Sequence, residues 1–151
     1  MKNREIERKF LVKDLSFKQL ATSHHEIWQG YLCRDPQRTI RVRIKENKAF
    51  LTIKSGNEVS HFEWEKEIEV ADAKDLLQIC LAGVIHKIRW IVPAEEKNLC
   101  WEVDEFLNHP ENLILAEIEL PSETAVFTKP NFVGEEVTGQ AQYYNANMQI
   151  N

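Results

Sequence analysis

Acidic residues recur in this chain as pairs two positions apart: Glu5 with Glu7, Glu63 with Glu65, Glu102 with Asp104, and Glu117 with Glu119. Basic residues recur in the same way, as Arg41 with Arg43 and Lys87 with Arg89, while Lys9 and Lys54 add single basic positions. A spacing of two puts both members of a pair on one face of a β-strand. A face that needs only solubility would mix signs along each strand, because like neighbours repel and opposite ones attract. Charge sorted by strand points to a ligand instead. Guanidinium and ammonium groups suit the oxygens of a chain of phosphates, and arginine grips them in bidentate fashion. Hard carboxylates suit Mg²⁺ or Mn²⁺, which bridges protein and phosphate.

The elements that must position these groups are strands. Apolar and charged residues alternate over residues 5–12, 39–45, 50–54, 61–65, 87–91, 101–104 and 115–120, and 27–32 adds a further strand. That makes about eight, the number that closes a small barrel. Helical segments are few. Ser16 and Gln19 fit a capping box, and Asp72 can cap a helix bearing Leu76, Leu77, Cys80 and Leu81, stopped at Gly83. Ser122 would cap a short helix ending before Pro130, and Thr138 a terminal helix running to about Met148.

Alternation ordinarily buries the apolar face, which would give a lipocalin-like barrel with an apolar pocket. Here the faces opposite the charges carry Ile40, Val42, Ile44, Phe62, Trp64, Ile88, Trp90, Trp101 and Val103, an exterior that amphipathic helices could cover. Charged pairs from so many strands make chemical sense only if they converge on one lumen. The expected fold is therefore α+β and mainly β: an eight-stranded antiparallel closed barrel with a charged lumen and a few covering helices.

At 151 residues the chain is expected to form a single domain over 1–151, large enough to bury a core without disulfides or a structural metal. Its net charge of −5 argues against a general nucleic-acid binder. Three widely spaced cysteines, with no metal-binding spacing, point to a reducing, cytoplasmic compartment. No leader-like apolar segment opens the sequence, and no run is long enough to cross a bilayer, so no membrane partner is expected.

The run Glu5-Ile6-Glu7-Arg8-Lys9 is an ExExK signature, and the chain resembles the CYTH family, the triphosphate tunnel metalloenzymes. The order of motifs carries the likeness. Gln29-Gly30-Tyr31-Leu32 looks like the family's second strand, Arg41-Val42-Arg43 like its arginine pair, and Leu51-Thr52-Ile53-Lys54 like its T-x-K strand. Glu63-Trp64-Glu65, Lys87-Ile88-Arg89 and Glu117-Ile118-Glu119 follow in sequence, and Gly134 to Thr138 with Tyr143-Tyr144-Asn145 resembles the terminal helix motif.

The resemblance implies a tunnel open at both ends that holds a small-molecule triphosphate and needs Mg²⁺ or Mn²⁺. Carried over by position, Glu5, Glu7, Glu117 and Glu119 would hold metal. Lys9, Arg41, Arg43, Lys54, Lys87 and Arg89 would bind the phosphates, with Lys87 also catalytic, and Glu63, Glu65 and Asp104 would orient the basic groups or help place the attacking water. One stretch departs from the pattern. Family members carry acidic and basic residues just before the Tyr-x-Asn, where this chain has Gly139-Gln140-Ala141-Gln142.

The leading expectation is an inorganic tripolyphosphatase. A class IV adenylyl cyclase, using the ribose hydroxyl in place of water, and a non-catalytic binder of polyphosphate or nucleotide remain as alternatives. A homodimer would have to use an outer face, since a closed barrel leaves few free edges. His24-His25-Glu26 has a metal-binding look, but adjacent strand residues face opposite ways, so it is assigned no role. Trp64, Trp90 and Trp101 fall on the face away from the charges and are expected to pack in the core or under helices.

Overall fold

Of the single domain expected over 1–151, the computed structural model describes residues 4–56 and 60–150. Each alternating segment forms a strand. They are β1 (Arg4–Val12), β2 (Ser23–Asp35), β3 (Arg38–Lys45), β4 (Lys48–Gly56), β5 (Ser60–Ile68), β6 (Ile85–Pro93), β7 (Cys100–Phe106) and β8 (Ile114–Glu119). The sheet runs β5-β4-β3-β2-β6-β7-β8-β1, all antiparallel, and β1 pairs with β5 to close an eight-stranded barrel. A ninth strand, β9 (Val133–Glu136), pairs with the far end of β1.

Among the described residues the closing seam matches Arg4 with Phe62, Glu5 with His61 and Ile6 with Ser60. Elsewhere the registers set inward residues side by side. Glu7 lies opposite Glu119, Lys9 opposite Glu117, Arg89 opposite Asp104, Arg41 opposite Thr52, and Lys54 opposite Glu63.

The apolar faces turn outward and are covered, as the large outward side chains require. Phe10 and Leu11 lie next to each other on β1 and so face opposite ways. Phe10 joins Trp101, Val103, Ile118, Phe132 and Phe17 in the main core outside the barrel. Helix α1 (Phe17–Leu20) supplies Phe17 to this core, edge-on to Trp90. Helix α2 (Val70–Gln78) lies over β3 and β4, with Ala73 fully buried against Val42 and Ala49, and with Leu76 and Leu77 at the margin. Trp101 and Trp90 thus do the packing expected of them, whereas Trp64 is 38% exposed. Inside the barrel, one end is apolar: Tyr31, Ile85, Phe106 and Leu115 pack with Val137 and Met148, and with Leu11, Tyr143 and Ile150 around them. The segment that follows β9 therefore covers that end.

Four expectations about helices are corrected. Thr138 caps no terminal helix, and residues after it form two 3-10 turns, Ala141–Tyr143 and Asn145–Asn147. Its hydroxyl is used elsewhere, accepting from the Lys9 backbone N–H at 2.8 Å and donating to Glu136 at 2.7 Å. Gly139, at φ +85°, breaks any helical path there. The segment after Ser122 turns once and then runs without regular structure to Pro130, its β-branched Thr124, Val126 and Thr128 disfavouring a helix. Ser16 makes no side-chain cap; Asp14 instead accepts the Ser16 N–H at 2.9 Å. In α2 the cap position is Glu69, Asp72 lies in the first turn, and the helix ends at Gln78, well before Gly83.

Gly30 shows how closely the layers approach. A Cβ there would stand 2.8 Å from Cys80 Sγ and 3.1 Å from Leu77 Cδ2. Gly30→Ala should destabilise the chain by about 1–3 kcal/mol through overpacking. Urea denaturation measures this, and a variant as stable as the parent would refute the close approach.

Candidate active site

The lumen is lined by Glu5, Glu7, Lys9, Arg41, Arg43, Lys54, Glu63, Glu65, Lys87, Arg89, Glu117 and Glu119, around a cavity of about 440 Å³. Every candidate position from the sequence except Asp104 faces this space, and Asp104 stands directly behind two of them. Lys87 Nζ donates to Asp104 Oδ2 at 2.7 Å, and Arg89 donates to both Asp104 oxygens at 2.7 and 2.8 Å. Arg89 also donates to Glu102 at 3.1 Å. Burial alone would raise the Asp104 carboxyl, but the charges of Arg89 and Lys87 outweigh it and hold the group well below the usual carboxylate range. Burial pulls the Lys87 ammonium well below its ordinary value, with Arg89 and Arg43 adding to that and Asp104 opposing it.

The other basic groups are held in the same way from neighbouring strands. Lys9 pairs with Glu117 at 3.1 Å and donates to the Tyr143 carbonyl at 3.0 Å. Lys54 lies between Glu63 at 3.3 Å and Glu5 at 3.5 Å. Arg41 donates to Thr52 Oγ1 at 3.3 Å, and Thr52 in turn donates to Glu65 at 2.7 Å. Arg43 has a neutral partner, Gln29 Oε1, at 2.8 and 3.0 Å. Burial and the charges of Arg41 and Arg89 lower its guanidinium below the ordinary value. Arg41 Nε is buried with no hydrogen-bond partner among the described residues. Like charges crowded together, with a buried donor to spare, form a surface that an anion would relieve.

The acids gather at the seam. Burial and the charge of Glu117 raise Glu7, and burial with Glu5, Glu102 and Glu7 raises Glu119. Burial and a shared hydrogen bond with Glu5 push Glu63 up to about 7. Burial opposes ionisation of Glu5 too, but the hydrogen bonds from His61 and Glu63, with the Lys54 charge, hold it well below the usual range. Glu5, Glu7 and His61 bring one donor atom each within 4.8 Å of one another. This is a donor set a divalent cation fits, and mutual repulsion among the acids is what such a cation would remove.

Several lining groups escaped the sequence reading. Asn145 Oδ1 accepts from Lys87 at 2.8 Å and from Gln29 Nε2 at 2.9 Å, so a terminal-segment amide reaches into the lumen. The departure at residues 139–142 bears on this, because Gly139 to Gln142 are exposed and the contact is made by Asn145 beyond them. Arg34 lines the cavity as well. Strict alternation from Gln29 and Tyr31 would turn Arg34 outward, but the register shifts between Tyr31 and Cys33 and sets Arg34 opposite Thr39. A bulge of this kind reverses parity, and nothing in the local sequence announces it. Gln29, Thr52, His61 and Asn145 carry no fixed charge, so a search for charge pairs passes over them.

The family model for the CYTH domain matches residues 3–148. The chain belongs to the CYTH family. It is 43% identical over 147 residues to an inorganic triphosphatase of Acetivibrio thermocellus, covering 96% of this chain and 92% of that one. It is 34% identical to an inorganic triphosphatase of Nitrosomonas europaea, covering 93% of each. The crystal structure of the inorganic triphosphatase NE1496 superposes with a TM-score of 0.65 at 31% identity, covering 95% of this chain and 92% of that chain. The CYTH barrel expected from the sequence is thus the barrel observed, without its terminal helix.

The Asp104 clamp makes a pH-resolved prediction. A carboxylate depressed in the folded state adds stability above its unfolded value of 3.8, and that stability is lost as pH falls below it. Asp104→Asn should cost about 3–5 kcal/mol at pH 7, because two buried cations lose their counter-charge. The gap to the parent should narrow by about 1 kcal/mol by pH 3. Denaturation at both pH values tests this, and a gap independent of pH would contradict an ionised Asp104.

Proposed function

We propose that this CYTH protein is an inorganic triphosphatase, hydrolysing tripolyphosphate inside the charged lumen with a divalent cation. The observation that carries the reading is six basic side chains from four strands facing one cavity whose seam is acidic. The two inorganic triphosphatases that resemble the chain over nearly its full length support it.

Phosphoryl transfer needs positioning and charge neutralisation more than covalent chemistry. Lys9, Arg41, Arg43, Lys54, Lys87 and Arg89 would hold the phosphate oxygens, with Lys87 nearest to a catalytic role because Asp104 and Asn145 fix its ammonium on two sides. Asp104 orients Lys87 and Arg89, Glu65 orients Arg41 through Thr52, and Glu63 orients Lys54. Glu5, Glu7, Glu117 and Glu119 would hold the cation, Mg²⁺ or Mn²⁺. Once bound, that ion neutralises phosphate charge and lowers the pKa of a coordinated water. With its pKa near 7, Glu63 is suited to help orient the water that attacks the terminal phosphorus.

The whole chain acts as one CYTH domain. Among the described residues no helix is long and apolar enough to cross a membrane. Cys33, Cys80 and Cys100 are unpaired thiols, which suits a reducing compartment and a cytoplasmic setting.

Phosphate release from tripolyphosphate, ATP and thiamine triphosphate, with Mg²⁺ or Mn²⁺ and then with excess chelator, tests the reading. Metal-dependent release, fastest with tripolyphosphate, is expected. Cyclic AMP from ATP would favour a cyclase instead, and binding without turnover a receptor. Lys87→Ala and Glu119→Ala should each lower kcat by about 10²-fold or more while the circular dichroism of the barrel is kept. Full activity in either folded variant would refute the role given to that residue.

A further inference from the structure

His61 lies at the barrel's seam, directly opposite Glu5 in the register that joins β1 to β5. Its Nε2 stands 2.7 Å from Glu5 Oε2, and the residue is 7% exposed. A ring nitrogen of His61, with one oxygen each from Glu5 and Glu7, falls inside the 4.8 Å group described above. His61 is the residue of this group that is not a carboxylate, and it comes from the strand across the seam. The other carboxylates proposed for the cation, Glu117 and Glu119, are on β8, on the opposite side of β1.

We infer that His61 Nε2 is a nitrogen ligand of the divalent cation and sets which cation the protein prefers. The inference rests on the proposed metal role of Glu5 and Glu7. Carboxylate and water oxygens alone suit Mg²⁺, whereas an imidazole nitrogen favours the first-row transition ions. Among the two cations considered, a Glu-Glu-His set therefore selects Mn²⁺ over Mg²⁺. Because Glu5 and His61 belong to different strands, a cation held by both also clasps the seam. Metal binding should then tighten the backbone where β1 meets β5.

The test uses the full chain with Mn²⁺ or Mg²⁺ alone, so it is independent of hydrolysis. Calorimetry should show the parent binding Mn²⁺ more tightly than Mg²⁺. His61→Gln should weaken Mn²⁺ binding by about tenfold or more, the lower end of what even an outer-shell loss costs a metal site. Mg²⁺ binding should change much less. Pulsed electron paramagnetic resonance of bound Mn²⁺ should show coupling to a histidine nitrogen in the parent and not in the variant. If His61→Gln does not fold, the parent's spectrum decides: nitrogen coupling supports the ligand, and its absence overturns it. Amide exchange near Glu5 should slow on adding Mn²⁺ to the parent. An unchanged Mn²⁺ to Mg²⁺ ratio in a folded variant, or a parent spectrum without nitrogen coupling, would overturn the inference. Mn²⁺ bound with nitrogen coupling but no phosphate release would leave His61 as a ligand and remove the triphosphatase reading.

Discussion

The structure depends on neutralising charge where water is scarce. Lys87 and Asp104 are 0% and 1% exposed, and a barrel that buries such groups is stable only if each is paired and hydrogen-bonded. Asp104 meets this condition for two cations at once, and Asn145 and Glu102 complete the set. An apolar interior of the same volume would ordinarily be no less stable, so stability does not explain the charges. Retaining so many of them in one lumen is intelligible as preorganisation for a charged ligand.

That constraint also explains the division of the barrel. One end of the interior is apolar and is covered by the segment after β9, which brings Tyr143, Met148 and Ile150 against Tyr31, Ile85 and Phe106. The same segment delivers Asn145 to Lys87 and the Tyr143 carbonyl to Lys9. Closure of the apolar end and positioning of two basic groups are thus the work of one stretch of chain. The apolar faces turned away from the lumen are in turn buried by α1, α2 and the irregular segment around Phe127 and Phe132. The inversion of an ordinary barrel, polar within and apolar without, therefore needs those covering segments.

Much of this was legible in the sequence, because a strand's period of two survives in any barrel and the sign of charge marks its inner face. Eight strands, the inward direction of Glu5, Lys9, Arg41, Lys87 and Glu117, and the outward direction of Trp101 all follow from parity. What parity could not carry lies where it is interrupted or where no charge is present. Arg34 lines the lumen through a bulge that reverses its face, and Gln29, Thr52 and Asn145 contribute by hydrogen bonding alone, while His61 carries no charge pair for parity to mark. The terminal helix failed for a different reason. Local capping signals at Thr138 compete with tertiary partners, and here Glu136 and the Lys9 backbone take its hydroxyl.

The most direct measurement of the central claim is a crystal structure of the protein with Mg²⁺ and a tripolyphosphate analogue whose bridging oxygens are replaced by NH. The account predicts the analogue inside the barrel, with its phosphate oxygens on Lys9, Arg41, Lys87 and Arg89 and the cation on the Glu5 and Glu7 side. An analogue bound on an outer face, with the lumen still holding only its own ion pairs, would contradict it.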